Sequence, residues 1–180
     1  DFPGFPHVDT QQAISIPFSQ FSSMVKRVAR VVSKDESRAI LTGVLITFEG
    51  ETLKMVATDS YRLAITEAQL GEPAAEGFQA VISGSFLQEL ASLTRTDDPL
   101  TIALAENQIV VTYHDTVFIN RRIEGNFPNY RQLLPDSYAT RVRLNVSHLV
   151  SGVKRTSILG QQSLPVKFAI DVESQTVQLS

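Results

Sequence analysis

The chain contains no cysteine, and no apolar stretch in it reaches the ~18–20 residues that a membrane-spanning helix needs. Without cysteine, disulfides, thiolate zinc sites and cysteine nucleophiles are excluded. The first residues, DFPGFPHVDTQQ, lack the positive start and the apolar core of a secretory signal. We therefore expect a cytoplasmic protein.

Motifs for catalysis are missing as well. There is no glycine-rich phosphate loop or Rossmann pattern, and Ser83-Gly84-Ser85-Phe86 does not supply a Gly-x-Ser-x-Gly elbow. Asp97-Asp98 is typical of a loop, and Asp59 has no partner constellation that would make it a base. Metal-ligand spacing is absent from the histidines, which are His7, His114 and His148. We expect a non-catalytic protein without metal or cofactor. An enzyme of unassigned chemistry is the alternative, since catalytic residues can converge from distant parts of a chain.

The charge balance restricts how the protein could bind DNA. Its 180 residues, enough for one domain and part of another or for one large domain, carry 16 lysines and arginines against 19 acids, a net charge of −3. A dedicated nucleic-acid binder is usually basic overall. If this protein handles DNA, its positive charge must be concentrated on one face.

A repeat is the most informative feature of the sequence. FSQFSSMVKR at 18–27 resembles VSHLVSGVKR at 146–155, with five identities at an offset of 128 residues. Downstream, FEGETLKM at 48–55 resembles VESQTVQL at 172–179 at an offset of 124. The paired matches indicate a unit of roughly 125 residues, present once in full and once cut short. Chance similarity of two amphipathic helices is the alternative.

Within the first unit, a fainter repeat predicts two similar halves. Each half reads strand, helix and three strands, and apolar residues alternate in the strands, as at Leu53, Met55 and Ala57. Glu49-Gly50-Glu51 is a turn, and residues 71–77 connect the halves. The prediction is an α+β fold of repeated strand-helix-three-strand units, with antiparallel sheets outside and helices on one face.

Residues 19–34 are predicted to form an amphipathic helix with Ser19 as its N-cap. On a helical projection its apolar side chains fall within an arc of about 120°, and its basic side chains fall within about 100° on the opposite side. The basic residues on that face are Lys26, Arg27, Arg30 and Lys34.

This basic face suits the phosphate backbone of duplex DNA, and backbone contacts carry no sequence information. No acid intervenes before Asp35, and Val-Lys-Arg recurs at 153–155, which favours a repeated backbone contact. A merely solvated face is the alternative. The second helix, within 83–96, has Glu89 against a single cation, Arg95, so we expect it to contribute little.

Three longer motifs follow one another along the chain. They are Leu41-Thr42-Gly43-Val44, ATDSYRLA at 57–64 and GNFPNY at 125–130. In this order and spacing they resemble the bacterial DNA polymerase III beta subunit, the sliding clamp, whose members show L-x-G-V/M, A-T-D-x-x-R-L-A and G-x-F-P-D/N-Y. The resemblance covers nearly the whole chain and implies the DNA-clamp fold. By it, residues 1–12 are an interdomain linker, 13–137 the complete middle domain, and 138–180 the truncated start of the C-terminal domain.

The resemblance implies a processivity factor. Two protomers of such a clamp form a homodimer ring around duplex DNA, with helices lining the hole. The ring tethers the replicative DNA polymerase, and it docks short peptides from polymerase, clamp loader and repair proteins. An acidic protein that is basic only on its lumen helices fits this arrangement. The residues expected to face DNA are Lys26, Arg27, Arg30, Lys34, Arg38, Lys154 and Arg155.

The peptide pocket of that family lies between the middle and last domains. By resemblance, its wall here would consist of Leu41, Thr58, Ser60, Tyr61, Arg62, Leu63, Pro128, Gln132 and Leu133. A mainly apolar cleft with a few polar groups is a plausible peptide site. The alternative is that the leucines among them simply seal the core between domains.

Departures from the family pattern narrow these expectations. Ser60-Tyr61 stands where many members have Gly-His, so peptide preference should differ, and Gly84-Ser85 stands where some have basic residues. Ala39-Ile40 stands where some members have polar or aromatic groups near DNA, which leaves Arg38 as the better candidate for a DNA contact in this segment. We expect the chain alone neither to close a ring nor to bind peptide at full strength. The alternative function is a non-topological, sequence-independent DNA-binding module.

Overall fold

The computed structural model describes residues 13–71, 78–94, 96–105, 107–159 and 165–180. The predicted linker at 1–12 lies outside these residues, as does most of the predicted connector at 71–77. The chain divides into two compact units, of which the first ends at Leu133 and the second spans Leu134–Ser180. The domain bounds expected from the sequence, with a division after residue 137, stay a prediction.

The first unit consists of two halves with the same order of elements, as the sequence predicts. The first half contains β1 (Ile14–Pro17), α1 (Phe18–Val28), β2 (Gly43–Glu49), β3 (Thr52–Thr58) and β4 (Leu63–Gln69). The second half contains β5 (Phe78–Ser83), α2 (Gly84–Ala91), β6 (Pro99–Ala105), β7 (Gln108–Tyr113) and β8 (Thr116–Arg121). Each half is therefore a strand, a helix and three strands.

The two halves exchange their first strands. One sheet has the order β4-β3-β2-β5 and the other has the order β1-β6-β7-β8, with every neighbouring pair antiparallel. The first strand of each half thus pairs with the three-stranded part of the other half. An isolated bridge between Ile82 and Arg122 joins the two sheets.

The main core lies between the helices and one face of both sheets. Alternation along β3 places Leu53, Met55 and Ala57 in this core, which confirms the predicted period of two. Phe18, at the start of α1, is fully buried, and its ring stacks on Tyr113 of β7 at a centroid distance of 4.5 Å. This stack fixes the beginning of the basic helix to the second sheet.

A second, smaller core covers the opposite face of the first sheet. Leu45, Val56 and Val81 project from this face and are covered by Tyr130, which is buried. Phe127 packs against the same cluster. The aromatic residues of the GNFPNY motif therefore fold back onto the sheet of their own unit.

Gly43 lies where β2 pairs with β5, opposite Ser83. A Cβ atom on Gly43 would overlap the Val81 side chain and lie 3.1 Å from the carbonyl oxygen of Ile82. We expect Gly43→Ala to lower the free energy of unfolding by roughly 1–3 kcal/mol, because β2 must shift away from β5. Urea denaturation followed by circular dichroism measures this change.

Gly71 provides the control. At Gly71 an added Cβ meets nothing within 4 Å. Gly71→Ala should therefore stay within about 0.5 kcal/mol of the parent, and an equal loss in both variants would contradict the steric argument.

The second unit contains α3 (Val146–Leu159) and a hairpin of β9 (Phe168–Asp171) with β10 (Thr176–Leu179). Asn145 Oδ1 accepts the backbone N–H of Ser147 at 3.0 Å and so caps α3. α1 and α3 begin 128 residues apart, and β3 and β10 begin 124 residues apart, which are the two offsets of the sequence repeat. None of the described helices is long and apolar enough to cross a membrane.

Candidate nucleic-acid interface and docking turn

The two sides of α1 differ in burial and charge. Met24, Val25 and Val28 are buried in the main core, whereas Lys26 and Arg27 are exposed in the last turn. Cations in the last turn also lie at the negative end of the helix dipole, which stabilises the helix. The predicted amphipathic face is confirmed over this part of the segment.

The N-cap of the helix lies two residues earlier than predicted. Pro17, not Ser19, is the N-cap residue, and no side chain caps this end. β1 runs directly into the helix, and the N–H of Phe18 donates to the carbonyl of Asp98 at 3.1 Å. A backbone bond from a neighbouring loop therefore replaces the side-chain cap.

The helix also ends earlier than predicted. α1 stops at Val28 and tightens into a 3-10 turn at Ala29–Val31. The N–H of Ser33 then donates to the carbonyl of Leu41 at 2.8 Å, which draws the chain off the helix axis. Lys34 is exposed but lies beyond the helix, so the prediction that it shares the helical face of Lys26 was wrong.

The exposed side of α1, together with Arg30 just beyond it, forms an open depression of about 440 Å³, which we call the basic depression. It is lined by Ser19, Ser23, Lys26, Arg27 and Arg30, with no acid among them. Arg30 Nε donates to the carbonyl of Lys26 at 2.9 Å, which holds the guanidinium over the last turn. Three cations and two hydroxyl donors at one open surface suit an anion such as a phosphate group.

Arg38, the other predicted DNA contact of this unit, is already engaged. Its Nε forms an ion pair with Asp35 at 3.1 Å, and its Nη1 donates to Ser60 Oγ at 3.0 Å. Hydrogen bonds from the side chain and backbone of Ser37, together with Arg38, hold the pKa of Asp35 below its usual value. Arg38 is thus an exposed cation whose charge is opposed by a neighbouring carboxylate, a pairing that sequence reasoning missed.

Residues Thr58–Arg62 form a braced turn, which we call the docking turn. Ser60 has a positive φ of 79°, and its N–H donates to Thr58 Oγ1 at 3.1 Å. The Asp59 carboxylate accepts the backbone N–H groups of Tyr61 and Arg62, each at 3.0 Å, and pairs with Arg62 Nε at 2.9 Å. Tyr61 projects from this turn and is 95% exposed. Tyr61 precedes β4, which begins only at Leu63.

Arg62 has a second contact that the sequence does not signal. Its Nη2 donates to the carbonyl of Arg30 at 3.1 Å, although the two residues are 32 positions apart. Arg30 lies in the 3-10 turn that ends the basic helix, where backbone carbonyls lack helical partners. Arg62 therefore caps the end of the basic helix from the docking turn.

The remaining predicted pocket residues differ in exposure. Leu41 and Thr58 are buried, so they offer little surface to a ligand in this conformation. Leu63 is half-buried against the cluster around Tyr130. The exposed ones are Ser60, Tyr61, Arg62, Pro128, Gln132 and Leu133. In the second unit, Lys154 and Arg155 are exposed on α3. The predicted roles of these residues, in peptide binding and in DNA contact, stay predictions.

The pKa of Asp59 provides a test of the docking turn. Partial burial acts to raise it, but hydrogen bonds from the backbone of Arg62 and Tyr61 and the ion pair with Arg62 outweigh this effect, so the pKa lies below 3.8. A depressed carboxyl pKa stabilises the fold above the unfolded value, and this stabilisation is lost as the pH falls through the folded value. We expect a ¹³C NMR titration of the Asp59 carboxyl to have its midpoint below 3.8, and Arg62→Gln to raise that midpoint. A midpoint that Arg62→Gln leaves unchanged would contradict the ion pair.

Among the described residues, no group of three or more histidine, aspartate or glutamate side chains could hold a metal ion. The three buried side-chain oxygens that lack a hydrogen bond in this part of the chain are Thr47 Oγ1, Gln108 Oε1 and Asn120 Oδ1. All three belong to strands and none lines the basic depression.

Comparison with known proteins supports the resemblance drawn from the motifs. The family profile described as DNA polymerase III beta subunit, central domain, matches residues 15–129. The beta sliding clamp of Bacillus subtilis is 30% identical over 163 residues, which cover 90% of this chain and 43% of that protein. The crystal structure of the DNA polymerase sliding clamp from B. subtilis matches with a TM-score of 0.88 and 27% identity, over 99% of this chain and 51% of that one.

A second solved structure agrees. The sliding clamp from Pseudomonas aeruginosa, solved with griselimycin bound, has a TM-score of 0.83 and 26% identity, over 99% of this chain and 52% of its own. These matches confirm the α+β DNA-clamp fold. The chain spans about half the length of the relatives that it matches.

Proposed function

Because this chain belongs to the DNA polymerase III beta subunit family, we propose that it forms the central part of a sliding clamp. Such a clamp is a ring that encircles duplex DNA and acts as the processivity factor of the replicative polymerase. The observation that carries the proposal is the basic depression at the end of α1, in a chain whose net charge is −3. Phosphate contacts of this kind are independent of sequence, which a sliding ring requires.

The docking turn is the second functional surface in this proposal. Tyr61 presents an almost fully exposed aromatic ring on a backbone that Asp59 and Thr58 brace. Rigid aromatic anchors of this kind often dominate the energy of peptide and protein binding. Peptides from the polymerase, the clamp loader and repair proteins would dock here. The full-length protein would act as a non-catalytic homodimer ring in the cytoplasm, without a cofactor.

A topological experiment tests the ring. A full-length protein that contains this chain is loaded by its clamp loader onto nicked circular duplex DNA, washed in moderate salt, and the DNA is then linearised. We expect retention on the circle and loss after cutting, because a ring is held by topology and not by affinity. A noncleaved circle carried through the same steps is the control.

Equal retention on circular and linear DNA would favour the alternative, a sequence-independent module that grips DNA by contact. That module predicts a steep fall of affinity with salt on both forms of DNA. The ring proposal would then be wrong, although the basic depression could still be the contact surface.

A further inference from the structure

Two arginines join the docking turn to the end of the basic helix and to the segment that follows it. Arg62 connects it to the carbonyl of Arg30, and Arg38 connects Ser60 to the Asp35 carboxylate. Both contacts are made by exposed guanidinium groups, so an anionic ligand can reach them. The two proposed functional surfaces are therefore in direct physical contact.

Arg38 is the more easily displaced of the two. Its guanidinium makes one ion pair and one hydrogen bond to a neutral hydroxyl, both at the surface. An exposed ion pair contributes little to stability, since water screens it. A DNA phosphate can accept two parallel N–H bonds from the same guanidinium, whereas Asp35 and Ser60 accept one each. Because the Arg30 carbonyl and Arg38 both contact the docking turn, we expect a duplex on the basic depression to pass close to Arg38.

One restraint on the docking turn is the contact that Arg38 makes with Ser60. Ser60 adopts a left-handed backbone with φ of 79°, a conformation that costs a non-glycine residue free energy and persists only when its surroundings enforce it. Its restraints are the N–H bond to Thr58 Oγ1 and the Oγ bond from Arg38. Thr58 and Asp59 also hold the turn, so the loss of the second restraint would loosen the backbone that carries Tyr61 without releasing it.

We propose that duplex DNA seated on the basic depression draws Arg38 away from Ser60 and thereby loosens the docking turn. Arg38 and Arg62 act as positioning residues, since neither needs to touch the partner for this effect. The inference rests on the proposed function of both surfaces.

The consequence for binding is a negative coupling between DNA and partner. A loosened turn is less preorganised, so a partner binds it more weakly when DNA is gripped. Coupling free energies are reciprocal, so a docked partner weakens the grip on DNA by the same factor. A clamp with its polymerase docked would therefore slide with weaker contacts to the duplex.

Fluorine NMR provides a direct test on this chain. Its four tyrosines are replaced by 3-fluorotyrosine, and the Tyr61 resonance is assigned with Tyr61→Phe. A fluorescein-labelled 12-base-pair duplex is titrated in at low salt, and its binding is followed in parallel by fluorescence anisotropy. We expect the Tyr61 resonance to shift and narrow as the duplex binds, while that of the buried Tyr113 stays in place.

Variants separate transmission through Arg38 from direct contact of DNA with Tyr61. Ser60→Ala removes the acceptor and keeps every charge, and Arg38→Gln removes the donor. In both, the free Tyr61 resonance should already lie near its DNA-bound position, and the response to duplex should fall several-fold. Arg131→Gln removes another exposed cation, which pairs with Glu49 at 3.0 Å, and this variant should respond like the parent.

Each contrary outcome has a distinct meaning. If anisotropy shows no binding of the duplex at low salt, the basic depression does not contact DNA and the coupling is wrong, whereas the ring itself is tested by the topological experiment. If the duplex binds but the fluorine resonance of Tyr61 neither shifts nor narrows, only the coupling is wrong. If Tyr61 responds equally in the parent and in Ser60→Ala and Arg38→Gln, DNA contacts the ring directly and the transmission through Arg38 is overturned.

Discussion

Replacing Lys26, Arg27 and Arg30 by glutamine in one triple variant should weaken the binding of a short DNA duplex on the order of 10²-fold at ~0.1 M salt. These side chains supply all the positive charge of the basic depression, and no acid lies among its lining residues. Each phosphate contact contributes about 0.9 to the slope of log affinity against log salt concentration, so the slope should flatten by nearly three. Fluorescence anisotropy over a salt series measures both quantities.

A matched triple on the opposite face of the sheets separates a local contact from overall charge. Lys54 and Arg121 alternate with core-facing residues of their strands, and Arg131 follows Tyr130 over the second core. Replacing these three by glutamine changes the net charge equally. We expect an effect of at most about 3-fold, because exposed charges farther than a Debye length of ~10 Å are largely screened. Equal losses in the two triples would mean that DNA does not bind at the basic depression.

Phe18→Ala should lower the free energy of unfolding by about 3–5 kcal/mol, the usual loss for a fully buried phenylalanine. The ring has no exposed surface and stacks on Tyr113 at 4.5 Å, so its removal leaves a cavity where α1 meets the second sheet. A loss of this size is a large share of the ~5–15 kcal/mol that stabilises an ordinary domain. Urea denaturation followed by circular dichroism gives the value.

Tyr61→Ala is the contrasting substitution of an aromatic residue. Tyr61 is 95% exposed, so its ring buries almost no surface against the rest of the unit. Its truncation should change stability by no more than about 0.5 kcal/mol. A loss comparable to that of Phe18→Ala would show that the Tyr61 ring is packed and does not project from the docking turn.

Local patterns predicted most of the fold. Buried positions three and four apart in α1 and two apart in β3 are set by the geometry of the elements, so Met24, Val28, Leu53 and Met55 could be assigned to the core. The internal repeat predicted a helix in the second unit at the position that corresponds to α1, since similar sequences in similar contexts fold alike. The amphipathic pattern likewise predicted that Lys26 and Arg27 would be exposed.

Tertiary contacts decided what local patterns could not. The helix ends at Val28 because Ser33 donates to Leu41, and Arg62 caps it from 32 residues away. Neither partner is visible in a window of sequence. The family motif placed Arg62 in a peptide pocket, and only the structure reveals its bond to the carbonyl of Arg30. The pairing of Arg38 with Asp35 and Ser60 also depends on the path of the backbone after the helix.

The exchange of first strands has a consequence for folding and ancestry. β1 pairs with β6, and β5 pairs with β2, so neither half of the first unit completes its own sheet. A polypeptide with only one half would find the missing neighbour in a second molecule, and two identical copies would swap strands into a symmetric dimer. The first unit has the shape of such a swapped dimer joined into one chain. Its two halves should therefore unfold in a single cooperative step, since opening either half strips a strand from the other.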